Sequence, residues 1–243
     1  TLLVSGLAAV RLFEAVRHNS PKARIYHASS SEMFGQTGLD RQNEHTSFNP
    51  VNPYAAAKVY AHHMAGIYRE SYGLHISAGI LFNHESERRP LHFLSQKVAY
   101  GAACVSLGIA DSPDRNERGR PIVERGKLAL GNLDVARDWG DAPDFVRAMW
   151  MISQGPEPQD FVIGTGQLHT LRELCEIAYR SVGCDWQEYV FSDPALVRPL
   201  EPETTRADPT KAHKTLGWYP SVSFEEMIGR MVAAQIKRLQ QQF

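Results

Sequence analysis

Cysteine is scarce in this chain: three thiols in 243 residues, Cys104, Cys175 and Cys184, odd in number and widely spaced. That pattern excludes a disulfide framework, offers no zinc site, and fits reduced thiols in a cytoplasmic setting. No apolar run approaches the ~18 residues that a membrane span requires. Neither sign of charge dominates. With 26 Lys and Arg against 27 Asp and Glu the formal charge is −1, which argues against a nucleic-acid footprint or a polybasic membrane anchor. No internal repeat is visible. His18, His45, His62, His63 and His92 form no metal-ligand spacing with Cys, Asp or Glu, so no metal is expected.

What the chain does have is an ordinary globular composition, 43% hydrophobic and 22% charged, and an alternation of strand and helix patterns. A first helix is expected over about 1–17 and a short strand over Arg24–Ala28, running straight into Ser29, Ser30, Ser31 and Glu32. Asn52 and Pro53 start a helix that Gly73 ends. Leu74 to Phe82 reads as a buried parallel strand because it is apolar almost throughout. A helix follows over Leu91–Gly101, then a polar stretch over 110–125, rich in charge, Gly and Pro, that reads as an exposed loop. Beyond it are expected a strand at 127–130, a helix at 143–153, a strand at 160–163 and a helix at 171–182 with the capping box Thr170 to Glu173. A short helix runs from Asp208-Pro209 to Gly217, and a last one spans 224–242 behind Ser223 and Glu226. This is an α/β chain.

Tyr54 and Lys58 carry the chemistry. Four residues apart on one helix, they share a face, so the ammonium can favour the phenolate and make Tyr54 a usable base near neutral pH. The YxxxK pair alone recurs in unrelated helices; the surroundings add the information. Ligands of open parallel sheets sit at the carboxyl ends of strands, where Ser29 to Glu32 would face the same crevice as the tyrosine.

The strings ASSSEMFG, NPYAAAK, GILFNHESERR, LGNLDVARDWG and DPTKAHKTLGW, in that order, resemble the extended short-chain dehydrogenase/reductases, and within them the GDP-mannose 4,6-dehydratases. The resemblance runs over essentially the whole chain. It implies a doubly wound Rossmann-type parallel sheet, incomplete at the N-terminus, with a smaller α/β substrate domain: residues 1–85 as the later part of an NADP-binding domain, and 86–243 mainly as the nucleotide-sugar domain, with some segments returning. One departure is large. The family opens with a Gly-rich strand-to-helix turn for the dinucleotide pyrophosphate, and none is present here; Gly164-Thr165-Gly166 reads as a strand-end turn instead.

Residue by residue, the resemblance makes Tyr54 the base for the sugar C4 hydroxyl, with Lys58 holding the cofactor ribose. Glu32 takes the C5 proton and passes it to the departing C6 hydroxyl, and Ser30 hydrogen-bonds the C4 oxygen. Ser31 stands where dTDP-glucose 4,6-dehydratases carry an aspartic acid, which points to the GDP-mannose branch and makes Ser31 a substrate contact. His84 and Arg89 match NADP-contacting positions, a guanidinium near the adenosine ribose suiting a 2′-phosphate. Asn83, Lys97, Arg137, Arg198 and Glu201 match positions that hold GDP-mannose. A homodimer or homotetramer is implied, through the Tyr54 helix and the helix at Leu91–Gly101. Two alternatives stay open: a related nucleotide-sugar dehydratase or epimerase, or a truncated, non-catalytic chain.

Overall fold

The computed structural model describes residues 1–197 and 204–242. After a π-helical turn at Leu2–Leu7 come α1 (Ala8–Asn19), β1 (Ile25–Ser30), α2 (Pro53–Tyr72) and β2 (Ile76–Leu81). Then follow α3 (Leu94–Ser106), β3 (Val123–Glu124), β4 (Lys127–Leu130), α4 (Ala142–Gln154) and β5 (Asp160–Ile163). The remaining principal elements are α5 (Leu171–Arg180), β6 (Val190–Ser192), α6 (Thr210–Leu216) and α7 (Phe224–Gln240).

The chain divides into two compact units. The first comprises Thr1–His84, Asp138–Leu168 and Thr204–Ser221. Its sheet is parallel with the order β1-β2-β5, the register running from Ile25 opposite Ile76 to Ser30 opposite Leu81. β2 is buried at every position, which is why its sequence is apolar without alternation. Helices cover both faces. On one, Phe13 of α1 and Ala65 and Tyr68 of α2 pack with Ile25, Leu74 and Ile76. On the other, Phe145 and Ile152 of α4 and Trp218 pack with Ile80, Phe161 and Ile163. Two cores on opposite faces of one parallel sheet make a doubly wound, Rossmann-type arrangement.

α2 forms where its local chemistry directs. The Asn52 side chain accepts a 2.8 Å hydrogen bond from the Ala55 N–H, Pro53 occupies the first turn, and Gly73 closes the helix at φ 65°. Ala55, Ala57, Ala61 and Ala65 are buried, and their small side chains let the helix axis approach closely.

The second unit contains the described parts of 85–137, 169–203 and 222–243. Its small sheet has the order β6-β4-β3, with β4 parallel to β6 and antiparallel to β3. α3, α5 and α7 pack against one another, burying among others Val98, Tyr100, Leu174, Tyr179 and Met231.

One expected boundary shifts, and two features go beyond what the sequence suggested. α3 starts at Leu94, three residues after Leu91, because 90–93 close a turn through the Phe93 N–H to the Pro90 carbonyl. The stretch over 110–125 is a built hairpin. The Asn116 side chain accepts from the N–H groups of Arg118 and Arg120, Arg115 bridges Pro121, and Ser112, Ile122 and Val123 are buried at its base. β6 was not anticipated at all.

Candidate active site

β1 ends in a change of backbone. Ser30 is extended, with φ −150° and ψ 141°, and its hydroxyl oxygen accepts from the Glu32 N–H at 3.3 Å, so that residues Ser31–Met33 coil into a single 3₁₀ turn. Capping uses a lone pair of Ser30 Oγ and leaves its proton to donate. Met33 and Phe34 drop into the core and Glu32 stays at the surface. Gly35 then turns away at φ 54°, with an ideal Cβ only 1.8 Å from the Asn49 carbonyl oxygen. No other residue fits that contact.

Tyr54 stands two residues beyond the α2 cap and is 41% exposed. Lys58 lies one turn on, its ammonium 5.7 Å from the centre of the Tyr54 ring and donating to the Ala28 carbonyl at 2.8 Å. Burial pushes the Lys58 pKa down, yet the charged form has both the ring face and a carbonyl for partners.

Asn52 joins the two halves of the site. While its oxygen caps α2, its amide donates to Glu32 Oε2 at 3.0 Å. Glu32, Tyr54, Lys58 and Ser30 therefore gather at the carboxyl end of β1, all in the first unit. Ser31 is different: it is 6% exposed, buried in the turn that leaves Glu32 at the surface.

The remaining expected site residues are more dispersed. Half-buried Asn83 and His84 follow β2. The His84 Nδ1–H donates to the Phe82 carbonyl at 2.8 Å, and its ring stacks on Phe145 with centroids 5.0 Å apart. In the second unit Arg89 sits 3.1 Å from the buried Glu85 carboxylate and 3.5 Å above the Phe93 ring. Ser95 donates a 2.6 Å hydrogen bond to the same carboxylate. This Arg89 is committed to its own unit. Lys97 is half-buried on α3, and Arg137 Nη1 donates to the Ala136 carbonyl. Arg198 and Glu201 lie outside the described residues.

A ribose is well matched by the Lys58 ammonium beside an exposed phenol. The Gly164-Thr165-Gly166 turn, by contrast, is not a phosphate cradle. Its Thr165 and Gly166 N–H groups, together with that of Ala207, already donate to the buried Asp138 carboxylate at 2.8 to 3.1 Å. Among the described residues no grouping of three or more His, Cys, Asp and Glu is arranged to hold a metal ion, and no helix is long and apolar enough to cross a membrane.

Two features behind the site were not anticipated. The first is the second role of Asn52. The second is a polar file beneath β1: Ser29 Oγ lies 2.8 Å from His62 Nδ1, His62 Nε2 lies 3.8 Å from Asp160 Oδ2, and Arg69 donates to Asp160 Oδ1 at 2.5 Å. His27, on the same strand face, is buried against Phe13, and its Nε2 has no hydrogen-bond partner among the described residues. Burial, reinforced by the charges of Lys58 and His62, pushes its pKa down to about 4. A 3.6-residue repeat continuing from Tyr54 and Lys58 to His62 was the one available sign that this histidine also faces the sheet.

The family model described as GDP-mannose 4,6 dehydratase matches residues 1–231. GDP-mannose 4,6 dehydratase 1 of Arabidopsis thaliana is 40% identical over 94% of this chain, which spans 60% of that relative. The GDP-mannose 4,6-dehydratase of Yersinia enterocolitica is 38% identical over 98% of the chain, covering 68% of its own length. Among solved structures, RMD from Pseudomonas aeruginosa complexed with NADPH superposes with a TM-score of 0.83 at 21% identity, covering 98% of this chain and 75% of that one. The chain thus spans about two thirds or less of the curated relatives it matches.

Proposed function

The chain belongs to the GDP-mannose 4,6-dehydratase family, and we propose that it catalyses the conversion of GDP-mannose to GDP-4-keto-6-deoxymannose and water, with NADP as its cofactor. The observation that carries the reading is the Asn52 bridge, which places a carboxylate and a phenol on either side of one helix start. A dehydratase needs both groups. An epimerase has no use for a base at C5, so Glu32 in this place favours elimination.

Bound NADP, held by Lys58, His84 and Arg89, would supply the hydride acceptor for C4 of the sugar and the hydride donor for C6. Tyr54 takes the C4 hydroxyl proton, with the Lys58 ammonium one helical turn away favouring the phenolate. Ser30 donates to the C4 oxygen as it gains carbonyl character, its own oxygen being fixed by the Glu32 N–H. With C4 oxidised, the C5 proton becomes acidic. Glu32 removes it and hands it to the departing C6 hydroxyl, which leaves as water. The product keeps a ketone at C4, so the proton held by Tyr54 does not return there. Its exposure lets that proton pass to solvent, and the one later delivered to C5 balances it.

Lys58 is the cofactor-ribose ligand in this reading, with His84 and Arg89 as further cofactor contacts. Arg89 would have to be shared with Glu85. Asn83, Lys97 and Arg137 supply substrate contacts, with Arg198 and Glu201 in the undescribed stretch; the cations suit the substrate's pyrophosphate. The first unit is the nucleotide-binding part and the second the sugar-nucleotide part. Exposed Tyr60, Ile67 and Tyr72 on α2 support self-association as a homodimer or homotetramer, whereas α3 spends its apolar positions inside its own unit. A cytoplasmic setting fits the free Cys104, Cys175 and Cys184.

Mass spectrometry of GDP-mannose incubated with the chain and NADP tests the proposal. The expected result is loss of one water. Unchanged GDP-mannose, in a sample shown to bind NADP, would refute it.

A further inference from the structure

Three hydrogen bonds stitch α2 and its cap to the end of β1: Asn52 to Glu32, Lys58 to the Ala28 carbonyl, and the His62–Ser29 pair. The first two use groups that the proposed reaction also uses. Glu32 must exchange protons with the sugar, and Lys58 must reach a ribose, so both bonds are weakened or given up when ligands enter. Of the three, only the His62–Ser29 bond engages neither.

That bond is built to persist. The His62 side chain is 10% exposed, and the Phe48 ring stands edge-on to it at 5.2 Å and 88°. Phe48 itself packs on Phe34, just past the Glu32 turn. Around the imidazole stand Ser29 and His27 from β1, His63 and Arg69 from α2, and Asp160 at the start of β5, with Lys58 acting on the neighbouring His27. Burial, His63 and Arg69 disfavour a charged imidazole and Asp160 favours it, burial being the largest influence. A neutral ring has one N–H. The carboxylate of Asp160, anchored by Arg69, draws that N–H to Nε2; Nδ1 is then the acceptor, and the Ser29 hydroxyl donates to it.

Resting on the dehydratase reading, we propose that His62 is a positioning residue. By accepting the Ser29 hydroxyl it holds the Ser30–Glu32 turn in register with Tyr54 while Lys58 and Glu32 are occupied with ligand. Tyr54, Lys58 and His62 are then one stripe along α2, at i, i+4 and i+8: the base, the ammonium that holds the ribose, and the residue that fixes where they act.

His62→Phe keeps a ring and removes both nitrogens; His62→Asn returns an acceptor where Nδ1 stands. His62→Phe and Ser29→Ala should each lower kcat about tenfold with KM for GDP-mannose changed less than about twofold, since positioning acts after binding. His62→Asn should recover most of the loss, and the Ser29→Ala/His62→Phe double variant should be no slower than either single variant. Unchanged kcat in His62→Phe, no recovery in His62→Asn, or a loss confined to KM would overturn the proposal. If the parent chain does not turn over GDP-mannose, the failure lies in the functional reading, and ¹⁵N NMR decides the inference. A neutral His62 protonated at Nε2, with an Nδ1 resonance that moves in Ser29→Ala, supports it; an Nδ1–H ring contradicts it.

Discussion

Mild acid should weaken this fold, and His27 makes a contribution that can be isolated. In the folded chain burial and the neighbouring Lys58 and His62 charges push its pKa from an ordinary 6.5 to about 4, and its Nε2 has no partner with which to share a proton. At pH 5 an unfolded histidine is almost fully protonated, whereas folded His27 is still mostly neutral. The unfolded state then binds more protons, so stability is full above about pH 6.5 and falls as the pH drops toward 4. From pH 7 to pH 5 the loss is about 2 kcal/mol, at about 1.4 kcal/mol per pH unit over the titrating range. His62, also held down by burial, adds to the acid sensitivity of the parent chain, so the informative quantity is a difference between variants. Urea unfolding of the parent and His27→Leu at both pH values isolates it. The parent should lose about 2 kcal/mol more than the variant. A difference below about 0.5 kcal/mol would show that His27 is not buried as a neutral imidazole and would refute the reasoning.

Other changes have equally definite outcomes. Asn52→Ala removes a helix cap and the Glu32 partner together. It should cost about 1 kcal/mol in urea unfolding and lower kcat for GDP-mannose more than that loss of stability explains. Gly35→Ala places a methyl against the Asn49 carbonyl at a positive φ, and since backbone must shift to relieve it, a fall of more than about 2 kcal/mol in unfolding free energy is expected. Tyr54→Phe leaves the fold unaltered by circular dichroism and should reduce dehydration of GDP-mannose by about 10²–10⁴-fold, the usual range for losing a general base.

Much of this architecture was legible in local chemistry. Asn52, Pro53 and Gly73 bounded α2 to the residue, and the nearly continuous apolar run from Leu74 to Phe82 marked β2 as a strand covered on both faces. Where the sequence misled, the deciding contact came from elsewhere in the chain. Pro90 draws back Phe93 and delays α3, and the Asn116 side chain organises a hairpin in a stretch whose charge and Gly content suggested only solvent. β6 is three residues long, too short for a period of two to register. The candidate site divides in the same way. Tyr54, Lys58 and Glu32 could be named because a helix period and a motif string carried them. Asn52 could be seen as a cap but not as the partner of Glu32, twenty residues upstream, because nothing in a linear string shows where a spare amide points. The Ser29, His62, Asp160 and Arg69 file was invisible for the same reason. Its four members come from three elements, and their spacing matches no ligand pattern.

The central claim is that one site oxidises C4, eliminates across C5 and C6, and returns the same hydrogen. GDP-mannose carrying deuterium at C4, incubated with the chain and NADP and followed by mass spectrometry and proton NMR, tests it directly. The account predicts a 4-keto product that has lost one water and keeps its deuterium on C6. A product without deuterium, or NADP-bound chain that leaves the labelled sugar intact, would contradict it.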